Sequence, residues 1–212
     1  MKLSLKNQTI YLLPQRAVYW KEQELLIVAD LHLGKAAALQ RAGIAVPEGA
    51  LENDLVNLEQ IIDSTDAKRC VIVGDLIHSK TGLTIEIISK FSQWLNKHSC
   101  RVDLVLGNHD HYLIKNLPAQ WCLIPHHETL TLGPFCFSHL PMEATDLFVW
   151  SGHIHPQIVL KNRGDSVCLR CFQISANQGI LPAFSTIVGG HTIKKDKNSR
   201  IFVTTGSEVI EI

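Results

Sequence analysis

Five short segments of this chain carry side chains of the types that bind divalent metal ions. Their sequences are DLH at 30–32, GDLIH at 74–78, GNHD at 107–110, SH at 138–139 and GHIH at 152–155. Each segment follows a short apolar run that is typical of a buried strand. Together they supply two carboxylates, one amide and four imidazoles, from Asp30, His32, Asp75, Asn108, His139, His153 and His155. Because ligands of α/β sheets bind beyond the carboxyl ends of the strands, we expect all five segments to line one crevice.

Each segment taken alone has a simpler interpretation. The two aspartates suit turns, Asn108 after a glycine tolerates a left-handed backbone, and His139 can be an ordinary loop histidine. The pair His153 and His155 favours a ligand role more strongly, because residues two apart project from the same face of an extended segment. The seven side chains together favour a metal site over five unrelated turns.

This set of side chains suits hydrolysis at phosphorus. Two divalent ions about 3.5–4 Å apart clamp the attacking and leaving oxygens of an in-line displacement. A carboxylate is needed to bridge the two ions, and neutral imidazoles complete the ligand set without adding charge that would repel a phosphate. The mixture of Asp, Asn and His favours Mn, with Fe, Zn or Co as alternatives, over Mg or Ca, which prefer oxygen ligands alone.

The elements that must position these segments alternate in the first half of the chain. Strands are predicted at 25–29, 70–73 and 102–106. Amphipathic helices, with apolar residues at three- and four-residue spacing, are predicted at about 47–64 and 84–98. In the second half short strands are predicted at 128–132, 135–138, 147–150, 157–161, 167–174, 184–188, 200–205 and 208–212. This pattern favours two packed sheets with helices outside them.

Composition limits the class of protein. The 212 residues are 46% hydrophobic and 19% charged, which predicts one globular domain spanning residues 1–212. Twenty basic and twenty acidic side chains exclude a domain that is held to nucleic acid mainly by bulk positive charge. We find no signal peptide or membrane-spanning run, so a cytoplasmic protein that does not bind membranes is expected. The six cysteines are predicted to be reduced, and the lone pair Cys168 and Cys171 is predicted to bind no metal.

At the five segments the sequence resembles the calcineurin-like metallophosphoesterases, with all the motifs in family order. The resemblance implies an α/β fold, a four-layer α/β/β/α sandwich of two packed mixed sheets. It also implies one metal held by Asp30, His32, Asp75 and His155. A second metal would be held by Asp75 as the bridge, Asn108, His139 and His153. A hydroxide shared between the two metals would then be the nucleophile.

The resemblance assigns further roles around these ligands. His109 would contact the phosphate, together with Asn108, and act as the general acid for the leaving oxygen. Many members have an Asp three residues after the bridging Asp, where it orients the catalytic His. His78 occupies that position here, as in the double-strand-break repair nucleases, and it becomes a second candidate catalytic residue. Lys35 and Arg41, just past the first motif, are candidate phosphate contacts, although solvent-exposed charges are an equally good interpretation.

The flanking segments resemble a narrower family, the ligase-associated DNA damage response endonucleases. They read LLPQRAVYW at 12–20, ADLHLGKAAALQRAGIAVPEG at 29–49, GDLIHS at 74–79 and LPAFSTIVGG at 181–190. This resemblance implies DNA as the phosphodiester substrate and a functional association with an ATP-dependent DNA ligase, an exonuclease and a helicase.

The sequence therefore predicts a phosphodiester hydrolase that depends on two metals and acts on DNA in repair as an endonuclease or phosphodiesterase. One alternative is a phosphodiesterase or phosphatase for a small nucleotide-type substrate, which zero net charge favours slightly. An alternative of another class is a non-catalytic scaffold on the same fold, against which the complete ligand set argues.

Overall fold

The computed structural model describes residues 1–142 and 146–212 and contains two β-sheets packed face to face. The strands of the first sheet are β1 Lys2–Leu5, β2 Gln8–Leu13, β3 Ala17–Trp20, β4 Leu25–Val28, β5 Arg69–Val73, β6 Arg101–Val105 and β7 Leu123–His126. Those of the second are β8 Thr129–Leu132, β9 Phe135–Ser138, β10 Phe148–Ser151, β11 Pro156–Asn162, β12 Asp165–Ser175, β13 Gln178–Ile180, β14 His191–Thr192, β15 Ser199–Thr204 and β16 Val209–Glu211. The helices are α1 Lys35–Arg41, α2 Ala50–Thr65, α3 Ile85–Lys97 and α4 Leu113–Asn116.

The first sheet keeps sequence order from β1 to β7. Strands β1 to β4 form an antiparallel meander, and β4 to β7 are parallel. In the second sheet the order is β14-β11-β12-β13-β10-β9-β8, with β15 on β12 and β16 on β15. Its neighbours β9, β10 and β13 are parallel, so the carboxyl ends of β9 and β10 lie at one edge.

Side chains along each strand of the first sheet point alternately to its two faces, and each face packs against a different layer. On one face Leu26 and Ile72 pack against helices α2 and α3, through buried side chains such as Leu58 and Phe91. On the other face Ile27, Val71 and Val105 meet the aromatic inner face of the second sheet, contributed by Phe135, Phe137, Phe148, Trp150, Phe172 and Phe202. Strands buried on both faces are continuous apolar runs for this reason.

The predicted α/β fold of two packed mixed sheets with helices is confirmed. The predicted βαβαβ half is also confirmed, with element ends shifted by one to three residues. All helices of the described ranges precede residue 117, and the second half of the chain forms strands and loops. None of these helices is long and apolar enough to cross a membrane.

One predicted strand, 184–188, is wrong. These residues form a loop without a strand partner, although Phe184 and Val188 are buried. The carbonyl groups of the loop are bonded by arginine side chains instead of a neighbouring strand, as described below. An apolar run predicts burial, but the partners of its backbone are distant in sequence.

Candidate metal centre

All five predicted segments lie at carboxyl ends of strands and converge between the two sheets. Asp30, Asp75 and Asn108 follow the parallel strands β4, β5 and β6, whereas His139 and His153 follow β9 and β10. The backbone amides of Asp30 and His32 donate to the carbonyl oxygens of Gly74 and Asp75, at 3.1 and 2.9 Å. The ligand-bearing loops of neighbouring strands are thus bonded directly to each other.

The backbone at the centre has an unusual conformation. Asp30, His32, Asp75, His153 and His155 all have positive φ, between 48° and 66°. L-residues in this left-handed region cost roughly 1–2 kcal/mol each. Such residues persist only where the surrounding structure fixes them, and they cluster at functional sites. Five of them among the predicted ligands indicate that the loops are shaped to aim these side chains.

One group consists of Asp30, His32 and His155, whose ligand atoms lie within 4.8 Å of one another. Nε2 of His155 is 3.2 Å from Oδ1 of Asp30. The other ring nitrogen of His155 faces the carbonyl oxygen of Gly189 at 3.2 Å. Because a carbonyl only accepts, Nδ1 carries a hydrogen, and Nε2 is the ring nitrogen that a neutral imidazole would offer to a metal ion.

A second group consists of Asp75, His139 and His153, within the same distance limit. Oδ2 of Asp75 lies 3.4 Å from Nε2 of His139 and 3.7 Å from Nε2 of His32, which belongs to the first group. Oδ1 of Asn108 is 2.9 Å from Nε2 of His139. Asp75 therefore lies between the two groups, where a bridging carboxylate has to be, and Asn108 adjoins the second group.

His78 and His109 form a third group with His32. The rings of His78 and His109 stack, with their centroids 5.4 Å apart. Nδ1 of His109 lies 2.6 Å from the backbone carbonyl oxygen of His78, so it must donate its hydrogen there. Nε2 of His109 then points at the centre, 4.0 Å from Oδ2 of Asp75. His78 thus orients His109 through its main chain and its ring face.

Two glycines allow the ligands to come this close. A Cβ on Gly74 would lie 2.0 Å from Nδ1 of His139, and the φ of Gly74 is +79°. A Cβ on Gly107 would lie 2.2 Å from Oδ1 of Asp75. Any side chain at either position would displace a predicted ligand.

The side chains of the centre fit divalent metal ions. Both ring nitrogens of His32 and Nε2 of His155 are buried without a hydrogen bond to any described residue. A buried polar atom without a partner costs free energy, and a metal ion would remove this cost. Burial lowers the pKa of His32 to about 3, which keeps the imidazole neutral, as metal binding requires. These residues would hold divalent ions, and they would do so from both sheets.

Asp110 is a supporting residue to which the sequence analysis gave no role. Its buried carboxylate accepts backbone N–H groups of Leu76, Ile77 and Gly107, at 3.2, 3.0 and 2.9 Å. Burial raises the pKa of Asp110 to about 6, although the three hydrogen bonds lower it. Asp110 ties the loop of Asp75 to the loop of Asn108. Its place as the last letter of GNHD was the available sequence signal.

The loop 181–190 is a second support that the sequence analysis missed. The backbone N–H of Phe184 donates to the carbonyl of Ala29 at 2.8 Å, and Gly189 holds His155. The Arg170 guanidinium donates to the carbonyl groups of Ala183, Ser185, Thr186 and Val188. Nε of Arg16 donates to the carbonyl of Phe184, and the Asp54 carboxylate accepts the N–H of Thr186. The loop thereby contacts the backbone next to Asp30 and the ring of His155, which are two members of the first ligand group.

The predicted phosphate contacts differ in their surroundings. Lys35 is half-buried at the start of α1. Burial is the main cause that lowers the pKa values of His78 and His32, and the positive charge of Lys35 lowers both further. Lys35 is thus close to the histidine cluster. Arg41 is exposed at the end of α1 and donates to the carbonyl of Thr81. Arg41 does not lie among the candidate ligands, and its contact with phosphate stays a prediction.

All six cysteines are free thiols, and Cys168 is exposed whereas Cys171 is buried. The three groups of potential ligands found in the described ranges contain no cysteine.

The fold and the gathered carboxylates and imidazoles define a class of protein. The chain belongs to the calcineurin-like phosphoesterase family, whose profile matches residues 24–194. It is a metal-dependent phosphoesterase, and members of this family use divalent metal ions.

Among solved structures the chain is similar to the Pseudomonas putida nuclease MPE. The two chains are 29% identical and superpose with a TM-score of 0.86, covering 100% of this chain and 99% of that one. Yfce, a phosphoesterase from E. coli, is 16% identical with a TM-score of 0.43, covering 89% of this chain and 97% of that one, a likeness too weak to argue from. No curated protein sequence matches the chain.

Proposed function

We propose that the chain is a DNA phosphodiesterase, an endonuclease that acts in DNA repair in the cytoplasm. The observation that carries this proposal is the likeness to a nuclease over the full length of both chains. The resemblance of the flanking segments supports the repair context. A functional association with an ATP-dependent DNA ligase, an exonuclease and a helicase is part of the same proposal.

In this proposal the two groups of side chains hold two divalent ions, with Mn preferred. Asp30, His32 and His155 would hold one ion, and His139, His153 and Asn108 would hold the other. Asp75, which lies between the groups, would be a ligand shared by both. Bound ions of this kind lower the pKa of water and neutralise charge on a phosphate.

The chain itself supplies the proton for the leaving oxygen. Nδ1 of His109 is committed to the carbonyl of His78, and the free Nε2 faces the centre. In its imidazolium form His109 would carry a second hydrogen on Nε2, and transfer of that proton to the leaving oxygen would leave the neutral ring with its Nδ1–H still bonded to His78. General acid catalysis of this kind contributes typically ~10²–10⁴-fold. Asn108 and Lys35 are proposed to contact the phosphate, and Arg41 is a more distant candidate.

A small nucleotide diester is the second candidate substrate. Equal numbers of acidic and basic side chains favour it, because affinity for nucleic acid depends largely on phosphate neutralisation. A non-catalytic scaffold would not need buried imidazoles without hydrogen bonds, and such atoms support the enzyme over that alternative.

The test compares substrates with Mn²⁺ present. We expect cleavage of plasmid, single-stranded or flap DNA at rates well above those for a cyclic nucleotide, with bis-p-nitrophenyl phosphate as the generic diester. The control is Asp75→Asn, which should lose metal from both groups and most activity on every substrate. Hydrolysis of the small esters without cleavage of any DNA would contradict the nuclease proposal and leave the phosphoesterase intact.

A further inference from the structure

A groove of about 500 Å³ opens directly beside the second ligand group. Asn108 and His139 form one wall of it, so the groove is continuous with the proposed metal centre. The metal-binding role of those two residues does not explain the rest of the groove, which extends away from the centre toward α4 and the segment after β9.

The floor of the groove is made of large apolar side chains that are exposed to solvent. Ile114 is 46% exposed, Leu140 51% and Met142 38%. Exposed apolar side chains are ordinary when scattered, but here three of them line one cavity. Such a cluster indicates a surface that is covered when a ligand binds.

The backbone that carries this floor is fixed. The hydroxyl groups of Ser138 and Ser151, both buried, donate to the carbonyl oxygen of Leu140 at 2.9 and 3.4 Å. The amide of Gln178 donates to the carbonyl of Met142 at 3.4 Å. The main chain is held from inside the protein, so the side chains of Leu140 and Met142 face outward in a pre-formed arrangement.

The polar groups of the groove are not those of a phosphate site. Among its described lining residues there is no Lys or Arg, and the one acidic residue is Glu128. His111 and His127 add two exposed imidazole rings, which can stack on a planar ring or donate a hydrogen bond. An apolar floor with a carboxylate acceptor and two imidazoles fits an uncharged aromatic ring with amino or amide edges.

We propose that this groove binds one nucleobase of the substrate, adjacent to the phosphate that lies on the metal centre. The inference rests on the proposed function, because the scissile phosphate places the base next to Asn108 and His139. The base packs on Ile114, Leu140 and Met142, and Glu128 accepts from a ring or exocyclic N–H of the base, which in thymine is N3–H. The groove thereby selects substrates in which the base next to the cleaved bond can unstack from the adjacent bases.

The experiment uses esters that differ only in the nucleoside. The purified protein with Mn²⁺ is given the p-nitrophenyl esters of thymidine 5′-phosphate and 3′-phosphate, beside methyl p-nitrophenyl phosphate. We expect kcat/KM for one of the two thymidine esters to exceed that for the methyl ester about tenfold, from burial of one ring face. In Ile114→Ala and in Met142→Ala this ratio should fall about threefold.

The matched control is Ile85→Ala, because Ile85 is also an exposed helical isoleucine, 82% exposed on α3, and does not line the groove. This variant should keep the wild-type ratio. If neither thymidine ester exceeds the methyl ester, or if the groove variants keep the wild-type ratio, the groove does not bind a base and the proposal is overturned. That result is distinct from failure of the nuclease proposal, in which the esters are hydrolysed and DNA is not.

Discussion

His109 is the residue in which structure and proposed chemistry are most closely connected. One of its ring nitrogens is bonded to a main-chain carbonyl, and the other faces the centre. From the resemblance, His109 was predicted to supply the proton, and His78 was a second candidate catalytic residue in place of the Asp that orients the histidine in many members; how His109 is held was left open. The way this is done, by a backbone carbonyl and a ring face, depends on the path of the loop after β5.

We expect His109→Asn to keep the metal content of the wild type and to lose turnover. The loss should reach about 10²-fold or more on a diester with an alkyl leaving group, since that oxygen needs a proton. On a p-nitrophenyl ester, whose leaving group is acidic, the loss should be much smaller. Rate measurements on both esters, with metal analysis of the variant, check this prediction. Equal losses on the two would assign His109 to positioning the phosphate.

Asp103 is a buried residue outside the centre that contributes to stability. Its carboxylate accepts from Arg69 Nε at 2.8 Å, Arg101 Nε at 3.1 Å and His126 Nε2 at 2.7 Å. Burial alone would raise the pKa of Asp103, but these donors outweigh burial and lower it. A carboxylate with a lowered pKa stabilises the fold above its unfolded pKa of about 3.9, and this contribution is lost as the pH falls through the folded value.

Asp103→Asn should therefore lower the free energy of unfolding at pH 7 by about 2 kcal/mol. The difference from the wild type should shrink at pH 3, because this is below the unfolded pKa of about 3.9, so the unfolded wild-type chain binds a proton there that the folded carboxylate, with its lowered pKa, binds less readily. Urea unfolding at the two pH values measures both quantities. The control is Glu211→Gln, which removes an exposed partner of Arg200 and should change little. A deficit that is the same at pH 3 and pH 7 would contradict the ionic explanation.

At the scale of elements, the loop 181–190 is fixed in place by side-chain hydrogen bonds to its backbone, where a strand would be fixed by a neighbouring strand. Its carbonyl groups are bonded by Arg170 and Arg16, and its two ends reach Ala29 and His155. The loop is therefore a support for the first ligand group, built from residues far apart in the chain.

Arg170→Met should weaken metal binding about tenfold or more, the usual range for residues that orient ligands. The loss of four hydrogen bonds frees the loop, and Gly189 then no longer holds His155. Metal content after dialysis against graded chelator measures the affinity, and circular dichroism checks the fold. Arg163→Met, at an exposed turn, is the control. Unchanged affinity in Arg170→Met would show that the loop keeps its shape without the arginine.

The elements also explain which parts of the structure could be predicted. Strands β5 and β6 and helices α2 and α3 were predicted because local periodicity reflects which face of an element is buried. The candidate ligands could be selected from the sequence because their segments follow such strands, and the structure brings them close together. The supporting roles of the loop 181–190, Asp54 and Arg170 were not predicted, since their partners are set by tertiary contacts; for the loop, the segment LPAFSTIVGG was a signal of resemblance but not of its contacts. The meander β1 to β3 was also missed, although Lys2–Leu5 alternates polar and apolar residues in the way that is typical of a half-buried strand.

At the scale of the whole molecule, the centre joins the two sheets. Asp30, His32, Asp75 and Asn108 belong to the first sheet, and His139, His153 and His155 to the second. Bound ions would connect the sheets at the edge where their loops meet. The aromatic core connects them elsewhere, so the fold does not depend on the ions alone.

Removal of metal should lower the melting temperature. A ligand at 100 times its Kd stabilises the native state by about 2.7 kcal/mol, which corresponds to roughly 5–10 °C for a chain of this size. Thermal unfolding with Mn²⁺ and with EDTA measures the shift. In Asp75→Asn the shift should be much smaller. A wild-type melting temperature that is the same under both conditions would contradict a metal centre that bridges the sheets.

The separation of the ligands along the chain has a consequence for synthesis of the protein. Asp30 leaves the ribosome more than a hundred residues before His155, and the loop that holds His155 follows later still. The parallel strands β4 to β6 can assemble on the nascent chain, since N-terminal parts generally fold first. The first ligand group cannot close until residue 190 has emerged. The enzyme therefore completes its centre only after residue 190 has been translated, and a product that ends before this residue carries no complete centre.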